Sequence, residues 1–61
     1  MESLVGKRIK VICEDFLSYI GIVNNFEYNE EDDEFEFYLQ TDEENIHFND
    51  YEIWKIEIKE D

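Results

Sequence analysis

Apolar and polar side chains alternate one by one along most of this chain, and this alternation constrains the fold more than any other feature of the sequence. Successive side chains of a β-strand point to opposite faces, so a period of two is typical of a strand with one buried face. The clearest example is the segment 34–40, where Phe35, Phe37 and Leu39 alternate with polar residues. The sequence therefore predicts an all-β chain.

Two longer segments near the N-terminus follow the same period. In the first, we expect four side chains to share the buried face: Val5, Ile9, Val11 and Cys13. The second covers residues 17–28 and divides into two faces, with Ile20, Ile22, Phe26 and Tyr28 on one and Tyr19 and Val23 on the other. Gly21 stands in the middle of this segment, where a missing side chain allows a bend or a bulge.

Shorter elements complete the pattern. Residues 46–48 predict a short fourth strand, and residues 49–52 are typical of one helical turn with Asn49 or Asp50 as its cap. We expect the last strand, residues 53–59, to bury three side chains: Trp54, Ile56 and Ile58. Five short strands with a helical turn before the last one predict a small barrel, because closure removes exposed strand edges.

The order of these elements resembles that of the SH3-like and Sm-like small barrels. The resemblance covers roughly residues 5–59 and is carried by six segments: VGKRIKVIC, YIGIVNNFEY, FEFYL, IHF, NDYE and WKIEI. It implies a five-stranded SH3-like barrel formed by one domain, residues 1–61, in which the first and last strands pair. The basic and loop residues through which nucleic-acid-binding members of this group hold RNA are replaced here by acids.

The charge of the chain is strongly negative, with 18 Asp and Glu against 5 Lys and Arg and a formal net charge of −13. A field of this sign opposes binding to the phosphates of nucleic acid and to anionic membranes, so we expect neither as a direct partner. Leu, Ile, Val and Phe make up 19 of the 61 residues, which is above the range of disordered chains and indicates that the chain folds.

The two signs of charge occupy different parts of the chain. All basic residues belong to the first and last predicted strands: Lys7, Arg8, Lys10, Lys55 and Lys59. The interval between Val11 and Trp54 contains 14 acidic residues and no Lys or Arg. Solubility of a small domain needs a net charge of only about 2–8. The excess favours an electrostatic function, and a surface that is acidic only for solubility is the alternative.

Two acidic turns and the strand between them supply the candidate partner-binding residues. These are Glu30, Glu31, Asp32, Asp33, Glu34, Glu36, Asp42, Glu43 and Glu44. Glu34 and Glu36 are two residues apart on a strand, which separates them by about 6–7 Å, of the order of the phosphate spacing along a nucleic-acid strand. With both turns extending this row, the sequence predicts a mimic of DNA or RNA that occupies the basic groove of a partner protein.

The composition is also similar to that of acidic inhibitors of host defence from phages and mobile elements, which include anti-CRISPR and anti-restriction proteins. This similarity implies an inhibitor whose partner is a basic protein, such as a CRISPR nuclease or another nucleic-acid-binding protein or nuclease. A small immunity protein or antitoxin directed against a basic toxin is a variant of the same hypothesis.

A second hypothesis rests on tyrosines expected outside the core. Tyr19, Tyr38 and Tyr51, together with Val23 and Ile53, predict a partly apolar patch, and tyrosine is enriched among the residues that anchor protein interfaces. In this interpretation the chain is an SH3-like adaptor or structural module that binds a peptide or a subunit. The same patch would also serve a homodimer.

Catalysis and metal binding find no support in the sequence, so we expect neither an enzyme nor a cofactor. Cys13 and His47 are the only thiol and the only imidazole, which leaves a zinc site without its usual ligands. The segment 29–34 lacks the spaced register and the glycine of a calcium loop. A single cysteine, with no signal-peptide or membrane-length apolar segment, predicts a cytoplasmic protein.

Overall fold

The alternating segments form five strands in the computed structural model, which describes residues 4–59. The strands are β1 (Arg8–Cys13), β2 (Ser18–Asn29), β3 (Glu34–Gln40), β4 (Asn45–Asn49) and β5 (Ile53–Ile58). A 3₁₀ helix at Asp50–Glu52 precedes β5, and the Asn49 N–H donates a 2.9 Å hydrogen bond to Glu52 Oε1 across this turn. The predictions of an all-β chain and of a single helical turn before the last strand are confirmed.

The strands form one antiparallel sheet in the order β4-β3-β2-β1-β5. β1 pairs with β5 as predicted, with Lys10 opposite Glu57. The predicted closure into a barrel was wrong, because β4 and β5 remain the two edges of an open sheet. The chain between them crosses the end of β1, where the Glu14 N–H donates to the Glu52 carbonyl oxygen at 3.0 Å. β5 therefore pairs with β1 and does not pair with β4.

The core lies on one face of this sheet. Its buried side chains come from the first four strands: Ile9, Val11, Val23, Phe37, Leu39 and Phe48. Phe26 and Phe35 are partly buried and stack on Phe37, with ring centroids 6.1 and 6.3 Å from it. The expected inward faces of β1 and β3 are therefore confirmed. Val5 was wrongly included, because it precedes β1 and is exposed.

A bulge in β2 reverses which residues face the core. The pairing with β3 shifts register between Asn24 and Glu27, and Asn25 has a φ of 52°. Because of the extra residue, odd-numbered residues such as the buried Val23 face the core before the bulge, and even-numbered residues such as Phe26 face it after the bulge. The predicted division of this strand was therefore wrong. Ile20 is 51% exposed, although the sequence grouped it with Phe26.

No bulge is present at Gly21, where the sequence predicted that a bulge or a bend was possible. This glycine lies in regular pairing opposite Ile9, and the register shift falls farther along the strand. A Cβ at this position would lie 2.3 Å from the Gln40 carbonyl oxygen and 3.1 Å from Leu39 Cγ. The missing side chain therefore permits a close approach of β3.

A second bulge places Trp54 outside the core, so its predicted burial was wrong. On β1, Ile12 lies opposite Lys55 and Cys13 lies opposite Ile53, which leaves Trp54 with no residue opposite it. The indole is 59% exposed as a result. The prediction from strict alternation failed because the extra residue in β5 interrupts the period of two.

Ile56 packs against the core as predicted. Ile58 lies opposite Ile9 but is exposed, because it belongs to an edge strand and only one neighbouring strand covers it.

Candidate protein-binding surface

The nine predicted acidic residues are all exposed, and β3 organises them. Residues 30–33, here called the first acidic turn, join β2 to β3, and residues 41–44, the second acidic turn, join β3 to β4. Because β3 contains seven residues, the two turns lie at opposite ends of a strand about 20 Å long. All nine residues therefore lie on β3 or in the turns at its two ends, and they do not form one compact cluster.

Only one end of β3 carries a continuous acidic row. Glu34 and Glu36 point outward next to the first acidic turn, while Tyr38 and Gln40 occupy the next two outward positions toward the second. The expected extension of the row is therefore present at the first turn and interrupted before the second. We call the surface formed by the first acidic turn, Glu34 and Glu36 the acidic face.

Glu27 belongs to the acidic face although the sequence analysis did not select it. It lies directly opposite Glu36 across the β2–β3 ladder, and Glu34 lines the same shallow depression of about 170 Å³. Like charges in cross-strand positions destabilise a sheet. His47 Nε2 lies 3.6 Å from Glu36 Oε2 and offsets part of this repulsion when the imidazole is protonated. The outward position of Glu27 depends on the β2 bulge, so simple alternation gave no reliable signal for it.

Side-chain hydrogen bonds order the first acidic turn. The Asn29 side chain accepts from the Glu31 N–H at 3.0 Å and donates to Asp32 Oδ2 at 3.2 Å. The Tyr28 hydroxyl donates to Asp33 Oδ1, and this hydrogen bond is the main reason that the pKa of Tyr28 is raised. An Asx-type turn of this kind fixes the backbone locally. The acidic side chains are consequently presented from an ordered loop.

Thr41 orders the second acidic turn. Its Oγ1 accepts from the N–H groups of Glu43 and Glu44 at 3.2 and 3.1 Å. The same hydroxyl donates to the Glu44 carbonyl oxygen at 3.0 Å. The Thr41 N–H donates to the same oxygen at 2.8 Å. The Gln40 side chain adds two further donations, to the carbonyl oxygens of Thr41 and Glu44. Both acidic turns therefore have defined backbone conformations.

Replacement of Thr41 by valine should loosen the second turn without unfolding the protein. Valine keeps the shape and removes the hydroxyl, and a hydrogen bond of this kind contributes about 1 kcal/mol. We expect faster amide hydrogen exchange at Glu43 and Glu44, measured by NMR. Thr41→Ser keeps the hydroxyl and should retain the protection. Equal exchange rates in the two variants would contradict the assigned role.

The basic side of the molecule lies on the opposite half of the sheet. Lys55 and Lys59 of this side place their Nζ atoms 3.5 and 3.2 Å from the Glu57 carboxylate. The hydrogen bond and charge of Lys59, with a further contribution from Lys55, lower the pKa of Glu57. Because β3 and β4 lie on one side of β2 and β1 and β5 on the other, the molecule is polarised across the sheet.

The predicted tyrosine patch does not form as a single surface. Tyr38 points outward beside His47, with ring centroids 4.9 Å apart. Tyr19 instead points to the core face and packs on Phe48 at 5.6 Å, and Val23 is buried. Tyr19 and Val23 were predicted on the wrong face, because odd-numbered residues face the core in the part of β2 before its bulge.

A different exposed apolar group lies at the end of the molecule that contains Tyr51. Phe16 is 81% exposed and Tyr51 is 72% exposed. The hydrogen bond from Glu14 to Glu52 brings the β1–β2 turn next to the 3₁₀ helix, so both aromatic rings belong to the same end. Phe16 also has a φ of 71°, which is unfavourable for a bulky side chain. Residue 16 follows the break between the first two predicted strands, where alternation gives no signal for an exposed aromatic side chain.

Residues 4–59 contain no group of three or more His, Cys, Asp and Glu side chains that is arranged to hold a metal ion. The Cys13 thiol packs beside the core, and burial together with the charges of Asp15 and Glu52 raises its pKa. A raised pKa keeps the thiol protonated at neutral pH and disfavours nucleophilic chemistry. In the part of the chain that the structure describes, no helix is long and apolar enough to cross a membrane.

Comparisons with known proteins give no family for this chain. No protein-family model matches it, and neither a curated protein nor a solved structure shows significant similarity to it.

Proposed function

We propose that this protein binds the basic, nucleic-acid-binding surface of a partner protein and inhibits the partner by occupying that surface. It would act without catalysis, as a mimic of DNA or RNA, and an anti-CRISPR or other anti-defence role is its most specific form. The observation that supports this proposal is the segregation of charge across the sheet, with exposed carboxylates on ordered turns on one side and all basic residues on the other.

The density of charge also favours mimicry. Residues 4–59 contain 15 of the 18 acidic residues and all 5 basic ones, a net charge of −10 over a longest dimension of 33 Å. All five basic residues belong to the half of the sheet with β1 and β5, so this excess lies mainly on the half with β3 and β4. A basic groove that contacts this half would therefore meet negative charge with no Lys or Arg among it.

The ordered turns add to the expected affinity. Binding costs less conformational entropy when the contacting groups are already held in place, and both acidic turns are fixed by side-chain hydrogen bonds. The field of the whole molecule would accelerate association and make it sensitive to salt.

The proposal is tested with a partner captured from a lysate on the immobilised chain and then purified. The dissociation constant is measured over a series of salt concentrations for the wild type and for Glu34→Gln/Glu36→Gln. If the two carboxylates replace phosphates, the slope of log Kd against log salt should be clearly smaller for this double variant than for the wild type. Duplex DNA or RNA should also displace the protein from its partner.

A matched control removes the same number of charges elsewhere. Glu2→Gln/Glu60→Gln changes two carboxylates that do not belong to the acidic face and should leave the salt slope nearly unchanged. Equal effects of the two double variants, or failure of nucleic acid to compete, would reject the mimic.

The alternative function is an adaptor or structural module that binds a peptide or a subunit. The exposed apolar end with Phe16 and Tyr51 favours it over the tyrosine patch predicted from the sequence. In that case Phe16→Ala and Tyr51→Ala would weaken the same complex far more than Glu34→Gln/Glu36→Gln, and the dissociation constant would depend little on salt.

A further inference from the structure

The two edges of the open sheet differ in how they are protected. Natural edge strands avoid pairing with other chains through lysines, prolines or bulges. β5 has Lys55 within it, Lys59 directly after it and the bulge at Trp54. β4 has the sequence NIHFN, with no lysine or proline, and pairs with β3 in unbroken register from Glu36–Asn49 to Gln40–Asn45. Only β4 is therefore open to a further strand.

The hydrogen-bonding pattern shows which groups of β4 face outward. The Thr41 N–H donates to the Glu44 carbonyl oxygen, so the alternating ladder continues through the pairs Leu39–Ile46 and Phe37–Phe48. The backbone N–H and C=O groups of Asn45 and His47 consequently point away from β3. They form a short row of donors and acceptors for another strand.

Two clefts of about 320 and 360 Å³ follow this edge, and both are lined by Tyr19 and Ile46. Such volumes lie within the roughly 300–1,000 Å³ typical of ligand pockets. Carboxylates line both clefts: Asp42, Glu43 and Glu44 in one, and Glu14, Asp15 and Glu52 in the other. The edge therefore combines free backbone groups, an apolar floor and acidic rims.

We propose that the β4 edge binds an extended basic segment of a partner protein as a sixth strand. Backbone hydrogen bonds to Asn45 and His47 would supply affinity, apolar side chains would contact Tyr19 and Ile46, and alternating Lys or Arg side chains would meet the acidic rims. A second copy of this chain is disfavoured, because the same six carboxylates and a net charge of −13 would face each other. The proposal goes beyond nucleic-acid mimicry, since such a segment need not come from a nucleic-acid-binding protein.

The probe is a capped peptide of about seven residues in which Lys and Val alternate, a length typical of a strand. It is titrated into the full chain and followed by NMR. Binding should shift the amide signals of residues 45–48 and slow hydrogen exchange at His47. A peptide of the same length and charge with Pro in place of Val cannot form a strand, and it should bind about tenfold more weakly.

Two variants isolate the backbone donor. His47→Pro removes an outward N–H without removing a bond to β3, and His47→Ala removes the same side chain but keeps the N–H. We expect about a tenfold loss of peptide affinity for the proline variant, and a change within about twofold for the alanine variant. If His47→Pro does not fold, the comparison of the two peptides on the wild type still decides the question.

Three results would overturn the proposal. The first is equal binding of both peptides, which would indicate that charge alone drives binding. The second is a set of chemical-shift changes confined to residues 30–36, which would place the peptide on the acidic face. The third is a dimer in sedimentation without peptide, which would indicate that a second copy occupies the edge. The double variant Glu34→Gln/Glu36→Gln should leave peptide affinity within about twofold, since these residues do not line the clefts. The β4 site and nucleic-acid mimicry can therefore fail separately.

Discussion

Replacement of Phe37 by alanine should leave most of the protein unfolded at 25 °C. Phe37 is fully buried and contacts three aromatic rings, with its centroid 5.7 Å from that of Phe48 and farther from those of Phe26 and Phe35. Truncation of a buried Phe costs about 3–5 kcal/mol, because transfer energy is lost and a cavity remains. A core in a chain of this size rarely supplies more than about 3–5 kcal/mol in total. The expected loss is therefore as large as the whole free energy of unfolding.

The measurement is urea denaturation followed by circular dichroism, with Phe16→Ala as the control. That variant removes the same atoms from a side chain that is mostly exposed, so its free energy of unfolding should change by no more than about 0.5 kcal/mol. A folded Phe37→Ala variant with a denaturation midpoint equal to that of Phe16→Ala would show that the aromatic cluster does not stabilise the sheet.

The second large effect is expected for Gly21→Ala. The new methyl group would lie 2.3 Å from the Gln40 carbonyl oxygen and 2.8 Å from its carbonyl carbon. These are backbone atoms of β3, so the clash cannot be relieved by rotation of a side chain, and β2 and β3 must separate. Overpacking of this kind costs about 1–3 kcal/mol or more, and we expect the upper end of that range.

Gly6→Ala provides the matched control. Gly6 has a φ of 87°, but no atom outside Gly6 and its two chain neighbours lies within 4 Å of the position its Cβ would take. This variant should lose only the backbone strain of a left-handed residue, about 1–2 kcal/mol. The prediction is that Gly21→Ala unfolds at a lower urea concentration than Gly6→Ala. The reverse order would mean that β3 can move away from Gly21 at little cost.

Local alternation predicted the elements that remain regular. The inward positions of β1 and β3, such as Val11 and Phe37, follow a strict period of two and were predicted correctly. The helical turn was predicted from a local signal, Asn49 or Asp50 as its cap, and the structure adds the hydrogen bond from the Asn49 N–H to Glu52 Oε1. The faces of these strands and the helical turn depend on neighbours in sequence or on one uninterrupted strand. The pairing of the first and last strands is a long-range contact, and only the resemblance to small barrels implied it.

The failures occur where one extra residue interrupts a ladder. At Asn25 and at Trp54, the register of one strand against its partner decides which side chains face inward. No local signal in the sequence reports this register, because it depends on contacts between strands that are far apart along the chain. The exposure of Ile20, the burial of Val23 and the outward position of Glu27 all follow from it.

The sequence by itself determined the class of the fold, the exposure of the nine acidic residues and the strong bias of charge along the chain. Only the tertiary structure decided that the sheet stays open, that Glu27 faces outward beside Glu36, and that β4 has an unprotected edge. Charge and alternation are properties of each segment, whereas edges, clefts and distances between turns arise from how the strands pair. For this reason the acidic face was visible in the sequence and the β4 edge was not.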